Sequence, residues 1–176
     1  MNVSIFGSST TRPGDFEYQE AYRLGKSLAA SGHVVITGGY IGAMEAASKG
    51  AAEVEGHVIG VTCDEIEAWR SVGPNPYVKE EWRFPTVRQR LHRLIDACEI
   101  ALALPGGIGT LAEISVMWSN MQTGSIPPRP LILIGPGWQN LILTFFREFD
   151  SNIAKRHRKL ITLASDIDEA LQLIPH

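Results

Sequence analysis

Short runs of Val, Ile and Leu alternate along this chain with longer stretches in which apolar residues recur every three or four positions. The runs Asn2–Phe6, Val34–Thr37, Val58–Thr62, Ile100–Leu104, Leu131–Ile134 and Leu160–Leu163 are short and nearly continuous in apolar character, which predicts strands buried on both faces. Between them Phe16–Ala30, Ala43–Val54, Pro85–Ala97, Thr110–Met121, Gln139–Ala154 and Ile167–Leu173 predict helices. In the first of these, Ala21, Leu24, Leu28 and Ala29 share one face. Parallel strands need long crossovers, and strand–helix alternation supplies them. The pattern therefore predicts an α/β fold, a doubly wound parallel sheet with helices on both faces. Cys63–Phe84 breaks the alternation with two prolines, a glycine and two tryptophans. It is too long for a tight connection and predicts a functional loop or the edge of a small subdomain.

Composition narrows the function classes. A chain of 176 residues is expected to form a single domain spanning positions 1–176. Its net charge of −3 lacks the basic footprint of a general nucleic-acid binder, so no nucleic-acid polymer is expected as a partner. Cys63 and Cys98 lie far apart and form no metal-ligand spacing. The start, "MNVSIFGSS", does not have the pattern of a secretory signal. The apolar stretch "PLILIGPGWQNLILTFF" is interrupted by Gly135, Pro136, Gly137, Gln139 and Asn140 and falls short of a membrane span. A cytoplasmic protein without a membrane partner is the expectation.

In an open parallel sheet, ligands bind beyond the carboxyl ends of the strands, and three of these ends are unusual. The first is "FGSSTTRPGD", where Gly7, Ser8 and Ser9 offer bare backbone and two hydroxyls. The second is "TGGYIGAMEAASKGA", where Gly38, Gly39 and Gly42 lead into a helix near Ala43. The third is "LPGGIGTLAE", with Gly106, Gly107 and Gly109 followed by Thr110 and Glu113. Glycine turns that open helices let a ligand touch main chain and meet free N–H groups, so a nucleotide phosphate is the leading ligand. Each turn also fits a plain structural role. Thr110 and Glu113 fit a capping box, and Glu45 fits a first-turn acid. There is no G-x-G-x-x-G after the first strand and no G-x-x-x-x-G-K-[ST], which argues against NAD-type and Walker-type sites.

"PGGIGTLAE" matches the P-G-G-x-G-T-x-x-E signature of the Lonely Guy family of nucleoside 5′-monophosphate phosphoribohydrolases, historically labelled lysine decarboxylases. "GGYIGAMEAASKGA", with Met44, resembles the family's second motif, and "FGSS" resembles its first strand end. The similarity runs from about Val3 to Gly135. The resemblance implies a Rossmann-like fold, usually a homodimer, and a pocket for AMP or a modified AMP such as a cytokinin riboside monophosphate. It also implies hydrolysis to free base and ribose 5-phosphate without metal or organic cofactor. The family's arginine falls on Arg90 and its glutamate on Glu113. Ser8, Gly38, Gly39, Gly42, Met44, Gly106, Gly107, Gly109 and Thr110 then become the substrate- and phosphate-binding set.

The chemistry suits these residue types. Breaking a glycosidic bond builds positive charge on the ribose, which a carboxylate stabilises, and negative charge on the base, which an arginine can meet. Arg88, His92 and Arg93 are expected on a solvated face. The chain departs from the family in carrying Arg90-Leu91 where many members have Arg-Lys. Some relatives of similar fold are described as molybdenum-cofactor carriers, so a non-catalytic carrier of a phosphorylated, nucleotide-like ligand is the alternative. Pyridoxal-dependent lysine decarboxylation is disfavoured, because no lysine stands at a suggestive strand end. The helical segment Ser115–Met121, with Met117, Trp118 and Met121, fits either a dimer face or ordinary core.

Overall fold

The computed structural model describes residues 1–175. Seven strands form one parallel sheet: β1 (Asn2–Phe6), β2 (Val34–Thr37), β3 (Val58–Cys63), β4 (Glu80–Phe84), β5 (Ile100–Ala103), β6 (Leu131–Ile134) and β7 (Thr162–Ala164). Their order in the sheet is β4-β3-β2-β1-β5-β6-β7. The chain winds outward one way from β1 and then the other way from β5. The crevice where the winding reverses lies between the ends of β1 and β5. The helices are α1 (Phe16–Ala30), α2 (Ala43–Glu53), α3 (Asp64–Arg70), α4 (Val87–Asp96), α5 (Ile108–Thr123), α6 (Pro136–Glu148), α7 (Lys155–Arg158) and α8 (Ile167–Gln172), with a 3₁₀ turn at Asp150–Asn152. No helix among the described residues is long and apolar enough to cross a membrane.

The apolar runs are continuous because both sheet faces are covered. Val3 and Ile5 of β1 join Val35, Ile100 and Leu102 in a core beneath α1, α2 and α8. The alternate positions Phe6, Ile36, Ala101 and Ala103 face a second core with Leu94 and Ile95 of α4, Ile114 and Met117 of α5, and Trp138 and Ile142 of α6. Met117 and Met121 are buried in that core. Trp118 packs edge-on against Phe145 and Phe146 of α6 and donates its indole N–H to the His157 carbonyl. The methionines of that helix therefore belong to this chain's own interior.

Several boundaries differ from the sequence expectation. The irregular segment Cys63–Phe84 contains α3 and the edge strand β4, joined by the loop 71–79. The last strand lies two residues late at its start, at Thr162–Ala164, and the helix expected over Gln139–Ala154 starts at Pro136 and ends at Glu148. Pro136 suits the first turn, where its missing N–H costs nothing. The helix expected from Thr110 begins at Ile108, a shift that matters for the site.

α1 and α2 pack backbone to backbone. A Cβ on Gly25 would stand 2.1 Å from the Ala47 carbonyl oxygen, and one on Gly50 would stand 2.0 Å from that of Tyr22. Alanine is the better helix former by about 1 kcal/mol at an exposed position, yet here the clash is with rigid main chain. Gly25→Ala and Gly50→Ala should each destabilise the fold by about 1–3 kcal/mol, the range for overpacking, despite that propensity gain. Urea unfolding midpoints at unchanged slope provide the check, and a more stable variant would contradict the packing.

Candidate active site

Three turns meet at the crevice. The Ser8 N–H donates to the Pro105 carbonyl at 3.2 Å, and the Ala43 N–H donates to the Ser8 carbonyl at 2.8 Å. The turn after β1 thus braces both the glycine turn before α5 and the start of α2. Gly42 caps α2 at φ 77°, and a Cβ there would lie 2.4 Å from the Ser8 carbonyl oxygen, so backbone conformation and space both demand glycine. The Ser8 hydroxyl turns back to its own loop, accepting from the Thr10 N–H at 3.0 Å.

A cavity of about 910 Å³ opens over this junction. It is lined by Gly7–Thr11, by Gly106–Thr110 and, from the far side, by Trp69 and Arg70 of α3. Ser8, Gly106, Gly107, Gly109 and Thr110 of the expected set therefore share one wall. A second cavity of about 610 Å³, with Phe16 and Trp138 in its lining, adjoins the first through Thr11, Glu17, Pro105 and Gly106. Gly38, Gly39, Gly42 and Met44 line neither cavity. Gly39 lies against Thr62 and Gly60, while Gly38 leaves room for Arg90, whose Nη2 would be 1.8 Å from a Cβ there.

The start of α5 removes one of the two roles open to Thr110 and Glu113. Gly107 is the cap residue, without any side-chain hydrogen bond, so Thr110 sits at the third helical position and Glu113 in the second turn. No capping box forms. The buried Thr110 side chain instead folds over Gly106, where a Cβ would come within 2.2 Å of its hydroxyl oxygen. Thr110 and Glu113 share a helix face at i,i+3 spacing, with Thr110 in the cavity lining and the Glu113 side chain nearly buried one turn further along.

There it meets Arg90. This α4 residue is 7% exposed. Its Nε donates to the Val61 carbonyl at 2.7 Å and its Nη2 to the Gly38 carbonyl at 3.1 Å, with the Met44 sulfur at 3.9 Å and the Tyr40 ring centre 5.6 Å from Cζ. Nη1 stands 3.9 Å from Glu113 Oε1, close enough for attraction and too far for a hydrogen bond. The Glu113 side chain is 12% exposed. Burial raises its carboxyl from 4.5 to about 7, and the Arg90 charge offsets only part of the rise. The expected pair is thus brought together, and like Gly38, Gly39, Gly42 and Met44 neither residue lines either cavity. Arg88 and Arg93 are exposed, Arg93 stacking 4.1 Å over Trp82, and Leu91 packs into the core beneath α4.

Two contributors escaped the sequence reading. Tyr40 is buried, its hydroxyl accepting from the Cys63 N–H at 2.8 Å and donating to the Cys63 carbonyl at 3.1 Å. Asn75, buried in the 71–79 loop, donates its amide to the Gly39 and Tyr40 carbonyls at 3.0 Å each. Together they lock the turn whose Gly38 carbonyl holds Arg90. Tyr40 lies inside the second motif. Asn75 had only the turn-forming "GPNPY" to announce it.

Residues 44–174 match the family model described as "Possible lysine decarboxylase". Among curated proteins, the "Pyrimidine/purine nucleotide 5'-monophosphate nucleosidase" of Escherichia coli (strain K12) is 31% identical over 175 residues, covering 89% of this chain and 36% of its own length. The chain thus spans little more than a third of that relative. A "Probable cytokinin riboside 5'-monophosphate phosphoribohydrolase" of Oryza sativa subsp. japonica is 30% identical over 169 residues, with 93% of this chain and 73% of the relative covered. Among solved structures, the molybdenum cofactor binding protein from Rippkaea orientalis superposes with a TM-score of 0.74 at 23% identity, covering 98% of this chain and 93% of that one. At that identity the likeness concerns the fold alone.

The buried carboxyl has a consequence for stability. A group with a higher pKa folded than unfolded binds more protons in the folded state. Its contribution therefore falls as pH rises from about 4.5 to about 7 and is constant above. The gap corresponds to about 3 kcal/mol. Glu113→Gln removes it. Between about pH 5 and pH 8, wild type should lose about 2–3 kcal/mol more unfolding free energy than the variant, measured by urea denaturation at both ends. Parallel pH profiles would place the carboxylate in a wetter setting than this geometry gives.

Proposed function

The chain belongs to the Lonely Guy family, whose model carries the description "Possible lysine decarboxylase", and on that premise we propose that it hydrolyses the N-glycosidic bond of a nucleoside 5′-monophosphate. The observation that carries this reading is the nearly buried Arg90–Glu113 pair, its carboxylate in the second turn of the helix that the glycine turn opens. A curated relative named for nucleotide 5′-monophosphate nucleosidase activity, and others named as phosphoribohydrolases, support the same chemistry. AMP or an AMP-like nucleotide is the substrate class.

In this mechanism the phosphate lies on the α5 N-terminus, where Gly107, Gly109 and Thr110 present main-chain N–H groups and the positive end of the helix. The ribose then extends inward toward Glu113. The C1′–N bond breaks with its electron pair leaving on the base, and the carboxylate stabilises the cationic sugar. Water adds its oxygen to C1′ and its proton is delivered to the base, giving free base and ribose 5-phosphate. The Arg90 guanidinium, held by two carbonyls, supplies fixed positive charge beside the departing base or the sugar hydroxyls. Arg90 and Glu113 are the catalytic residues of this proposal, and the mechanism employs no cofactor.

The alternative is a binding or carrier protein for a phosphorylated, nucleotide-like ligand, a reading with which the likeness to the molybdenum cofactor binding protein agrees at the level of the fold. Both readings use the same cradle and differ in whether Glu113 acts. We also propose a homodimer, on the strength of the family resemblance. The exposed Leu141, Leu143, Phe145 and Phe149 of α6 and its end give a second copy apolar surface to cover.

Incubation with a panel of nucleoside monophosphates should release free base, and AMP should raise the melting temperature more than adenosine at equal concentration. Glu113→Gln should lower turnover at saturating AMP by about 10²–10³-fold with a far smaller effect on AMP affinity, since the carboxylate acts mainly in the transition state. A variant within a few-fold of wild type would remove Glu113 from the chemistry. Light scattering at micromolar concentration should give twice the chain mass, and a monomer would refute the dimer.

A further inference from the structure

We propose that Arg70 binds the phosphate monoester of the substrate, closing the cavity from the side opposite the glycine turn. This rests on the nucleotide reading above and extends it to a residue outside every motif. Arg70 is the last residue of α3, in the segment between β3 and β4. Among the described residues lining the larger cavity it is the sole cation, and two of the others, Asp15 and Glu17, are acids. Arg90 cannot meet the phosphate there. It lies outside that lining, and two main-chain carbonyls already hold its guanidinium. A dianion entering this cavity would meet main-chain N–H groups and hydroxyls but no positive charge on a side chain unless Arg70 turned to it.

The side chain is already aimed at the junction. Its Nη1 donates to the Ser9 hydroxyl at 2.9 Å, and its guanidinium lies over the Trp69 ring with Cζ 4.4 Å from the centroid. Ser9 belongs to the turn whose neighbour Ser8 donates to Pro105, so Arg70 stands one residue removed from direct contact with the glycine turn. The stack fixes the plane of the guanidinium and the Ser9 bond fixes its edge. Among the described residues its remaining N–H groups have no protein acceptor, which leaves a planar fork for two phosphate oxygens. Serine hydroxyls can exchange one acceptor for another at little cost, so Ser9 can hand the guanidinium over to a ligand.

The test compares wild type, Arg70→Ala and Arg70→Lys by calorimetric titration with AMP, ribose 5-phosphate and adenosine, alongside steady-state base release from AMP. A charge-assisted hydrogen bond of the usual size predicts that Arg70→Ala weakens AMP and ribose 5-phosphate by about 10–100-fold. Adenosine binding should be unchanged and kcat within a few-fold of wild type, with Arg70→Lys intermediate. Because Arg70 is exposed, unchanged melting curves of the free variants verify the fold. Equal losses for AMP and adenosine, or no loss for either phosphate, would overturn the assignment. If wild type binds AMP through Arg70 but releases no base, the phosphate contact stands and the hydrolase reading falls. If hydrolysis proceeds at unchanged KM in Arg70→Ala, the reverse holds.

Discussion

A guanidinium taken out of water needs acceptors for its N–H groups, and the acceptors Arg90 uses organise the centre of this molecule. Leaving such a group unpaired would cost several kcal/mol, so its acceptors are fixed parts of the design. Those acceptors are main-chain carbonyls at Val61 and Gly38, in β3 and just beyond β2. They are neutral, so they satisfy the Nε and Nη2 donors without cancelling the charge. Glu113, at 3.9 Å, feels that charge but is not consumed by it. Tyr40 and Asn75 serve the arrangement at one remove by fixing the turn that carries the Gly38 carbonyl. A cation with undiminished charge and an acid free to accept are what separation of charge in a glycosidic bond calls for.

The glycines of the second motif gain a different meaning from this geometry. Gly38 clears space for the guanidinium, Gly39 packs on its neighbour strand, and Gly42 turns the chain under Ser8. They shape the site from behind, whereas the glycines before α5 face the cavity. Leu91 belongs to the same division of labour. Position 91 points into the core beneath α4 while position 90 points to the carboxylate, so the departure from Arg-Lys falls on the packing side of the helix.

Most of the fold was legible because strands buried on both faces leave a continuous apolar trace, as Ile100–Ala103 and Leu131–Ile134 do. The elements that escaped lack that trace. β4 reads Glu-Glu-Trp-Arg-Phe because it is half in water, and α3 buries none of its residues. The start of α5 was misplaced because Ile108-Gly109 resembles turn more than helix, although tertiary contacts wind it. Arg90 and Glu113 come from the resemblance to the family's motifs, and no local pattern in the chain singles out either one. Asn75 and Arg70 act across long loops, and nothing local in a sequence encodes which distant carbonyl or hydroxyl a side chain will reach.

The charged character of β4 has a consequence for how copies of this chain meet one another. As the outermost strand it leaves one row of backbone donors and acceptors free for another strand. Glu80, Glu81 and Arg83 stand along that row, Glu80 paired with His57 and Arg83 with Asp64 and Glu67. A strand added there would have to strip water from these ions and press glutamates against whatever it brought. The sheet therefore ends at β4 by design: the polarity that hid this strand from a reading of the sequence also guards it against fibril-like extension.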